Sequence, residues 1–368
     1  MITLQKTAAT VLGVAALSLV VAACGSSTST SSSTSAAASS AATISGAGST
    51  FAAPVYEQWG SSASGLGLTV NYQAVGSGAG ITALEGKTVD FGASDPPLKP
   101  EEESALAKVG EPVQIPMFLG AITVSYNLPG VKSGLKLDGT TIADIYLGKI
   151  KTWNDPAIKA LNPGVTLPST AITVIHRSDS SGTSAGFTGF LAAVDPEWLS
   201  KVGPGSKEPA WPTGTGAKGN AGVAGAVEQT TGAIGYVEQA YALQHNFTYA
   251  SVKNKAGNFV APTLASTSAA AEGIVVPANL GFKIKNPSSP QAYPITSQTF
   301  IMVYKDMCKA GVPGGKGAAE GVVKFLNYGL GAGQSILSKA DYAALPAAIL
   351  AKSKEAVAGL TCEGSAIG

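Results

Sequence analysis

The sequence predicts an α/β protein with room for two domains. Three observations point that way. Short β-branched runs alternate with helical stretches throughout the chain. At least two of those strand-to-helix junctions are loops rich in hydroxyl groups, around residues 46–50 and 178–183. A chain of 368 residues is also long enough to bury two substantial cores. In open α/β sheets ligands bind beyond the carboxyl ends of the strands, so such loops are expected to share one crevice.

Charged residues make up only 13% of the chain and the net charge is +1, with no basic block. A general electrostatic attraction to nucleic acid or anionic lipid is therefore not supported. Any anion must be held by local geometry.

Residues 1–23 read as a targeting segment. An apolar run from Ala8 to Val21 follows Lys6, is too short for an ordinary membrane span, and ends Val21-Ala22-Ala23-Cys24-Gly25. Small residues before a cysteine resemble a bacterial lipobox, which implies cleavage before Cys24, lipidation of Cys24 and a membrane anchor outside the cytoplasm. The alternative is an ordinary signal peptide with an incidental cysteine. Residues 25–42 contain only Gly, Ser, Thr and Ala. They cannot bury enough apolar surface to order themselves, so 24–42 is expected to be a flexible tether reaching about 20–25 Å. In that compartment Cys308 and Cys362 are free to form a disulfide that would pin the C-terminal tail; the alternative is two unrelated buried thiols.

Beyond the tether, Ile44 opens a short strand, and Gly46-Ala-Gly48-Ser49-Thr50 leads into a helix with Phe51, Val55 and Trp59 on one face. Residues 68–74 alternate as a strand, then Gly76-Ser77-Gly78 precedes a short helix over 81–85. Residues 89–93 form a further strand, stopped by Pro96 and Pro97, which leaves Asp95 at its end. The apolar run 113–124, interrupted by Pro116 and Gly120, reads as a crossing between domains. Short helices are expected at 141–147 and 157–161.

The strand beginning at Ile172 ends in Arg177-Ser178-Asp179-Ser180-Ser181-Gly182-Thr183, and a helix follows. The first turn of a helix leaves N–H groups without partners and carries a partial positive charge. Hydroxyls and an arginine placed there make an oxyanion site. Residues 211–219 read as a Gly-rich loop, 220–229 as a helix packed on a strand at 233–237, and 294–304 as a late strand returning to the first domain. Helical stretches near 317–328, 334–340 and 346–358 close the chain.

Three rival motifs are weak. Gly182-Thr-Ser184-Ala-Gly186 matches a nucleophile elbow, but the only later histidine is His245 at a peripheral helix end, and His176 should point away from Arg177 across its strand. Ser184 is better read as a helix-start serine. Gly214-Thr-Gly216-Ala-Lys218-Gly219 matches a dinucleotide fingerprint without the strand it needs. Gly86-Lys87-Thr88 lacks the earlier glycine of a nucleotide-binding loop, since Ile81 stands there. No HExxH or CxxC element appears, so a zinc site is not expected; no other metal or cofactor is expected either.

The sequence closely resembles the periplasmic phosphate-binding proteins of the PstS family, which deliver phosphate to a high-affinity ABC importer. The likeness spans residues 44–350. It runs through Gly46-Ala-Gly-Ser-Thr-Phe51, Val70-Asn-Tyr-Gln73, Gly76-Ser77-Gly78, Val89-Asp-Phe-Gly-Ala-Ser-Asp95, Leu137-Asp-Gly-Thr140, Asp144-Ile-Tyr-Leu-Gly-Lys-Ile150, Arg177 to Thr183, Gly232-Ala-Ile-Gly-Tyr-Val237 and Pro294-Ile-Thr-Ser297.

The resemblance implies a two-domain, Venus-flytrap periplasmic-binding-protein fold of the second type. Domain I would take 43–120 plus 292–368, domain II would take 121–291, and the ligand would lie in the cleft. It implies phosphate contacts from Thr50, Phe51, Ser77, Asp95, Arg177, Ser181, Gly182 and Thr183, with Phe51 and Gly182 acting through backbone N–H. Asp179 would pair with Arg177. The chain departs from the family pattern at Ser180-Ser181 and at His176, which removes no contacting group. The implied protein is a monomeric, non-enzymatic carrier whose partners are inorganic phosphate and the permease subunits of an importer. Among its residues Asp95 has a distinct role: a carboxylate only accepts hydrogen bonds, so it favours an oxyanion that still carries a proton.

Overall fold

The computed structural model describes residues 42–368, so the targeting segment, Cys24 and all of the tether up to residue 41 lie outside the described residues. The strand β1 (Ala42–Gly48) begins two residues earlier than expected. Ala42 therefore belongs to the sheet and not to the tether, because it pairs with Leu68 of β2 (Leu68–Ala74).

The main sheet has nine strands. β1 lies between β2 and β3 (Phe91–Ser94), all parallel. β4 (Pro112–Tyr126) is the longest, with 15 residues, nearly all of them buried. β5 (Lys136–Leu137) belongs to a small separate sheet. β6 (Thr173–Arg177), β7 (Thr215–Ala217) and β8 (Ala233–Glu238) form the other end of the main sheet, and β9 (Thr248–Tyr249) pairs with β4. β10 (Ser251–Lys253) and β11 (Phe259–Val260) complete the small sheet with β5. β12 (Thr296–Tyr304) lies between β3 and β4, and β13 (Thr361–Cys362) with β14 (Ser365–Ala366) makes a terminal hairpin. The order of the main sheet is β2-β1-β3-β12-β4-β8-β6-β7.

β4 joins the two ends of this sheet. Nine of its first ten residues pair with β12, and Ile122 to Tyr126 pair with β8. The run read as a crossing is one continuous strand. Pro116 is tolerated because the register against β12 shifts between Thr299 and Phe300, so Met117 is the extra residue of a bulge.

Each end has its own aromatic core. On the β1–β3 side Tyr56, Trp59, Phe118 and Phe325 meet mostly edge to face. On the β6–β8 side Phe187 stacks on Tyr236 at 4.3 Å, with Tyr146 and Trp211 around them. The helices Ala53–Ala63, Ser77–Glu85 and Gly315–Leu330 bury their apolar faces on the first side. Gly182–Val194 and Gly219–Gln229 do so on the second.

Several segments differ from expectation. The helix read over 81–85 begins four residues earlier, at Ser77. Residues 215–217 form β7 within the stretch read as a loop, because β6 offers them a parallel partner at Ile175 to Arg177. The helix expected at 334–340 splits into Gln334–Leu337 and a 3-10 turn, Ser338–Ala340. At the C-terminus Cys308 and Cys362 are joined as a disulfide. It holds the β13–β14 hairpin against Asp306, whose carboxylate accepts the N–H groups of Glu363 and Gly364.

Candidate functional site

Four strand-to-helix junctions meet between the two ends of the sheet. From β1 come Ser49, Thr50 and Phe51; from the junction after β2, Ser77; from the end of β3, Asp95; and from β6, Arg177 through Thr183. Thr50, Ser77, Asp95, Arg177, Ser181 and Thr183 are all buried. The resemblance set is thus gathered in one place, and the loops interlock: Gly78 N–H donates to Ser180 C=O at 3.1 Å. Gly76 has φ +100° and a Cβ there would sit 2.6 Å from Asp179 Oδ2. A Cβ on Gly182 would overlap Asp95 Oδ2 and Ser77 Oγ. Glycine at these positions lets two backbones approach where any side chain would keep them apart.

Arg177 sits at the end of β6 with its side chain almost wholly buried. Its Nε and Nη2 donate side-on to Asp179 at 2.7 and 2.5 Å, and Nη1 donates to Thr183 Oγ1 at 3.3 Å. Of its five N–H groups, two remain for another acceptor. Burial raises the Asp179 carboxyl, but the hydrogen bonds and charge of Arg177 and the N–H of Gly219 outweigh it, so Asp179 stays below its ordinary range.

The helix Gly182–Val194 is capped by Ser181, whose Oγ accepts Ser184 N–H at 3.0 Å and keeps its own proton to donate. Among the described residues the N–H groups of Phe51, Gly182 and Thr183 meet no protein acceptor. Those donors, the hydroxyls of Thr50, Ser181 and Thr183 and the guanidinium share an otherwise acceptor-poor site.

Asp95 is the exception. Its Oδ1 accepts Ser49 Oγ at 2.5 Å and Thr299 Oγ1 at 3.0 Å, whereas Oδ2 has only Ser77 Oγ at 3.5 Å. Gln298 Nε2 donates to its backbone oxygen at 2.7 Å and holds the turn. Burial pushes the Asp95 carboxyl up to about 6, against the hydroxyls of Ser49 and Thr299 and the charge of Arg177. Oδ2 is therefore an incompletely satisfied acceptor in a site of donors.

A model of the PBP superfamily domain matches residues 33–331. The phosphate-binding protein PstS of Pasteurella multocida is 42% identical over 84% of this chain and 88% of its own. PstS of Haemophilus influenzae is likewise 42% identical, over 85% of this chain and 91% of its own. The chain belongs to the PstS family. A crystal structure of a phosphate-binding protein from Stenotrophomonas maltophilia superposes with a TM-score of 0.69 at 22% identity, covering 88% of this chain and 99% of that one. The fold is the two-domain periplasmic-binding-protein fold.

The residues that set the rival motifs have other partners. Ser184 is buried and its Oγ lies 2.6 Å from the Tyr236 hydroxyl. His176 stacks on Trp211 at 4.8 Å, across the strand from Arg177, and His245 pairs with Glu228.

Three buried residues escaped the sequence reading. Ser49 and Thr299 hold Asp95 Oδ1, and Asn220, at the start of the helix Gly219–Gln229, reaches Thr50 and Thr183 together. Ser49 lay inside the recognised glycine-hydroxyl loop and was the one legible of the three.

Proposed function

We propose that this protein captures inorganic phosphate outside the cytoplasmic membrane and delivers it, unchanged, to the permease subunits of an ABC importer. The observation that carries this reading is the pairing of convergent donors with a single under-satisfied acceptor, Asp95 Oδ2. Phosphate near neutrality has oxygens to accept from Arg177, Ser181, Thr50, Thr183 and the N–H groups of Phe51 and Gly182, and a proton to give to Asp95. Ser77 adds a further hydroxyl beside Oδ2. The names of the PstS relatives support the ligand.

In this reading residues 42–120 with 292–368 form one lobe and 121–291 the other, joined where β4 and β12 cross. Closure brings Thr50, Ser77 and Asp95 of the first lobe onto Arg177 to Thr183 of the second. Charge-assisted bonds of about 1.5–3 kcal/mol each offset the dehydration of the ion and leave micromolar or tighter binding. Among the described residues no helix is long and apolar enough to cross a membrane. In the same reading lipidated Cys24 supplies the anchor, and the monomer is the working unit.

The test is calorimetric titration of the anion-stripped protein with phosphate and then sulfate at neutral pH. One-to-one phosphate binding with no sulfate response is expected. Equal binding of both would remove the role given to Asp95, and binding of neither would remove the site.

A further inference from the structure

The contacts of Asn220 constrain two hydroxyl groups more than any other residue in the site does. Asn220 is wholly buried, and its amide orientation is fixed by a donor that cannot be reversed: Glu238 N–H donates to Asn220 Oδ1 at 3.0 Å. The Nδ2 group must therefore face the other way. There it donates to Thr50 Oγ1 at 2.9 Å and to Thr183 Oγ1 at 3.2 Å.

Each threonine oxygen receives a second donor. Asn220 N–H reaches Thr50 Oγ1 at 3.3 Å, and Arg177 Nη1 reaches Thr183 Oγ1 at 3.3 Å. A hydroxyl has two acceptor positions and one proton. With both acceptor positions taken, each threonine can only donate, and its proton is turned away from Asn220 and Arg177 towards the centre of the site.

We propose that Asn220 is a positioning residue for the anion: by filling the acceptor capacity of Thr50 and Thr183, it sets both hydroxyls as obligate donors before ligand arrives. Thr50 follows β1 and Thr183 follows β6, so one amide polarises a hydroxyl from each side of the cleft. This rests on the phosphate reading above. A ligand that needs to donate to either threonine meets no acceptor there, so its proton is directed to the carboxylate of Asp95, the strongest acceptor among the described site residues. That division of labour confines the ligand proton to one oxygen and fixes the orientation of the bound ion.

Asn220→Asp tests this, since the carboxylate still accepts Glu238 N–H but accepts from the two threonines as well, turning their protons away from the ligand. Phosphate affinity, measured by calorimetry against the parent protein at each pH, is expected to fall at least a hundredfold at pH 8. The gap should narrow about tenfold by pH 5.5, as protonation of the new carboxyl restores a donor. A change under threefold at pH 8, or a deficit that ignores pH, overturns the proposal.

Should that variant not fold, Asn220→Ala and Thr183→Val give an independent route. Each is expected to weaken phosphate binding about tenfold, and the double variant by clearly less than the product, because a threonine without its amide has already lost its orientation. Multiplicative losses overturn the proposal. A parent protein that does not bind phosphate in these titrations sinks the phosphate reading itself, an outcome distinct from any behaviour of the variants.

Discussion

Lowering the pH should admit sulfate, and the geometry of Asp95 sets how steeply. Oδ1 is held by Ser49 and Thr299, and Oδ2 is left to receive a proton from the ligand. Burial raises this carboxyl to about 6. Phosphate brings its own proton and leaves Asp95 ionised. Sulfate brings none near neutrality, so it fits only the protonated carboxyl. Populating that form costs about 1.4 kcal/mol for each pH unit above the pKa. With Asp95 at about 6, the penalty is about tenfold at pH 7 and about a hundredfold at pH 8, and it vanishes by about pH 5. The proton is bound below about 6, so sulfate affinity rises as pH falls and then levels off. Asp95→Asn is neutral throughout and should bind sulfate with no such slope. Calorimetry of the anion-stripped protein with sulfate from pH 5 to 8, with phosphate as reference at each pH, measures both. A flat sulfate affinity in the parent protein, or a slope that survives in the asparagine variant, refutes the reasoning.

Arg177→Ala should lower phosphate affinity by at least a hundredfold, because two charge-assisted bonds of about 1.5–3 kcal/mol each disappear and Asp179 is left unpaired; near-normal affinity in the same titration would place the site elsewhere. In Gly182→Ala the added methyl meets Asp95 Oδ2 and Ser77 Oγ, so the cleft cannot close fully. A phosphate affinity reduced at least tenfold, with an unaltered far-ultraviolet spectrum, is expected, and parent-like affinity would show that the loops do not need this approach. The Cys308–Cys362 bridge spans 54 residues, a loop worth about 4 kcal/mol in the chain-entropy account. Urea midpoints of the oxidised and reduced protein should differ accordingly, with little change in phosphate affinity, and coincident midpoints would refute a stabilising role.

Much of the site was legible because it is built from local sequence. A strand that ends in hydroxyls and glycine before a helix must present free N–H groups, and Arg177 two residues before Asp179 is a short-range pair. What escaped depends on distant partners. Residues 215–217 carry too little β propensity to be read as a strand, yet β6 supplies the hydrogen bonds that make them one. Pro116 looked like a break because a proline donates nothing to a ladder, and the bulge against β12 that accommodates it is invisible locally. Asn220 reads as an ordinary helix-start residue. Its role requires Thr50, Thr183 and Glu238 to converge from three separate elements.

The near-neutral composition and the buried arginine fit one scheme. Asp179 cancels the charge of Arg177 at hydrogen-bonding distance, and Asp95 adds a negative charge above its pKa. The side chains around the ligand position are therefore not electropositive in sum. Bulk attraction cannot account for anion capture there, since any field strong enough to draw phosphate would draw sulfate equally. What remains is the direction of individual donors. The guanidinium is bonded by its partner carboxylate, Ser181 by its cap, and the threonines by Asn220, so in the proposed reading each presents a proton without reorganising. In the proposed reading such a site discriminates by counting protons on the ligand, which is the property that separates phosphate from sulfate of equal size and charge.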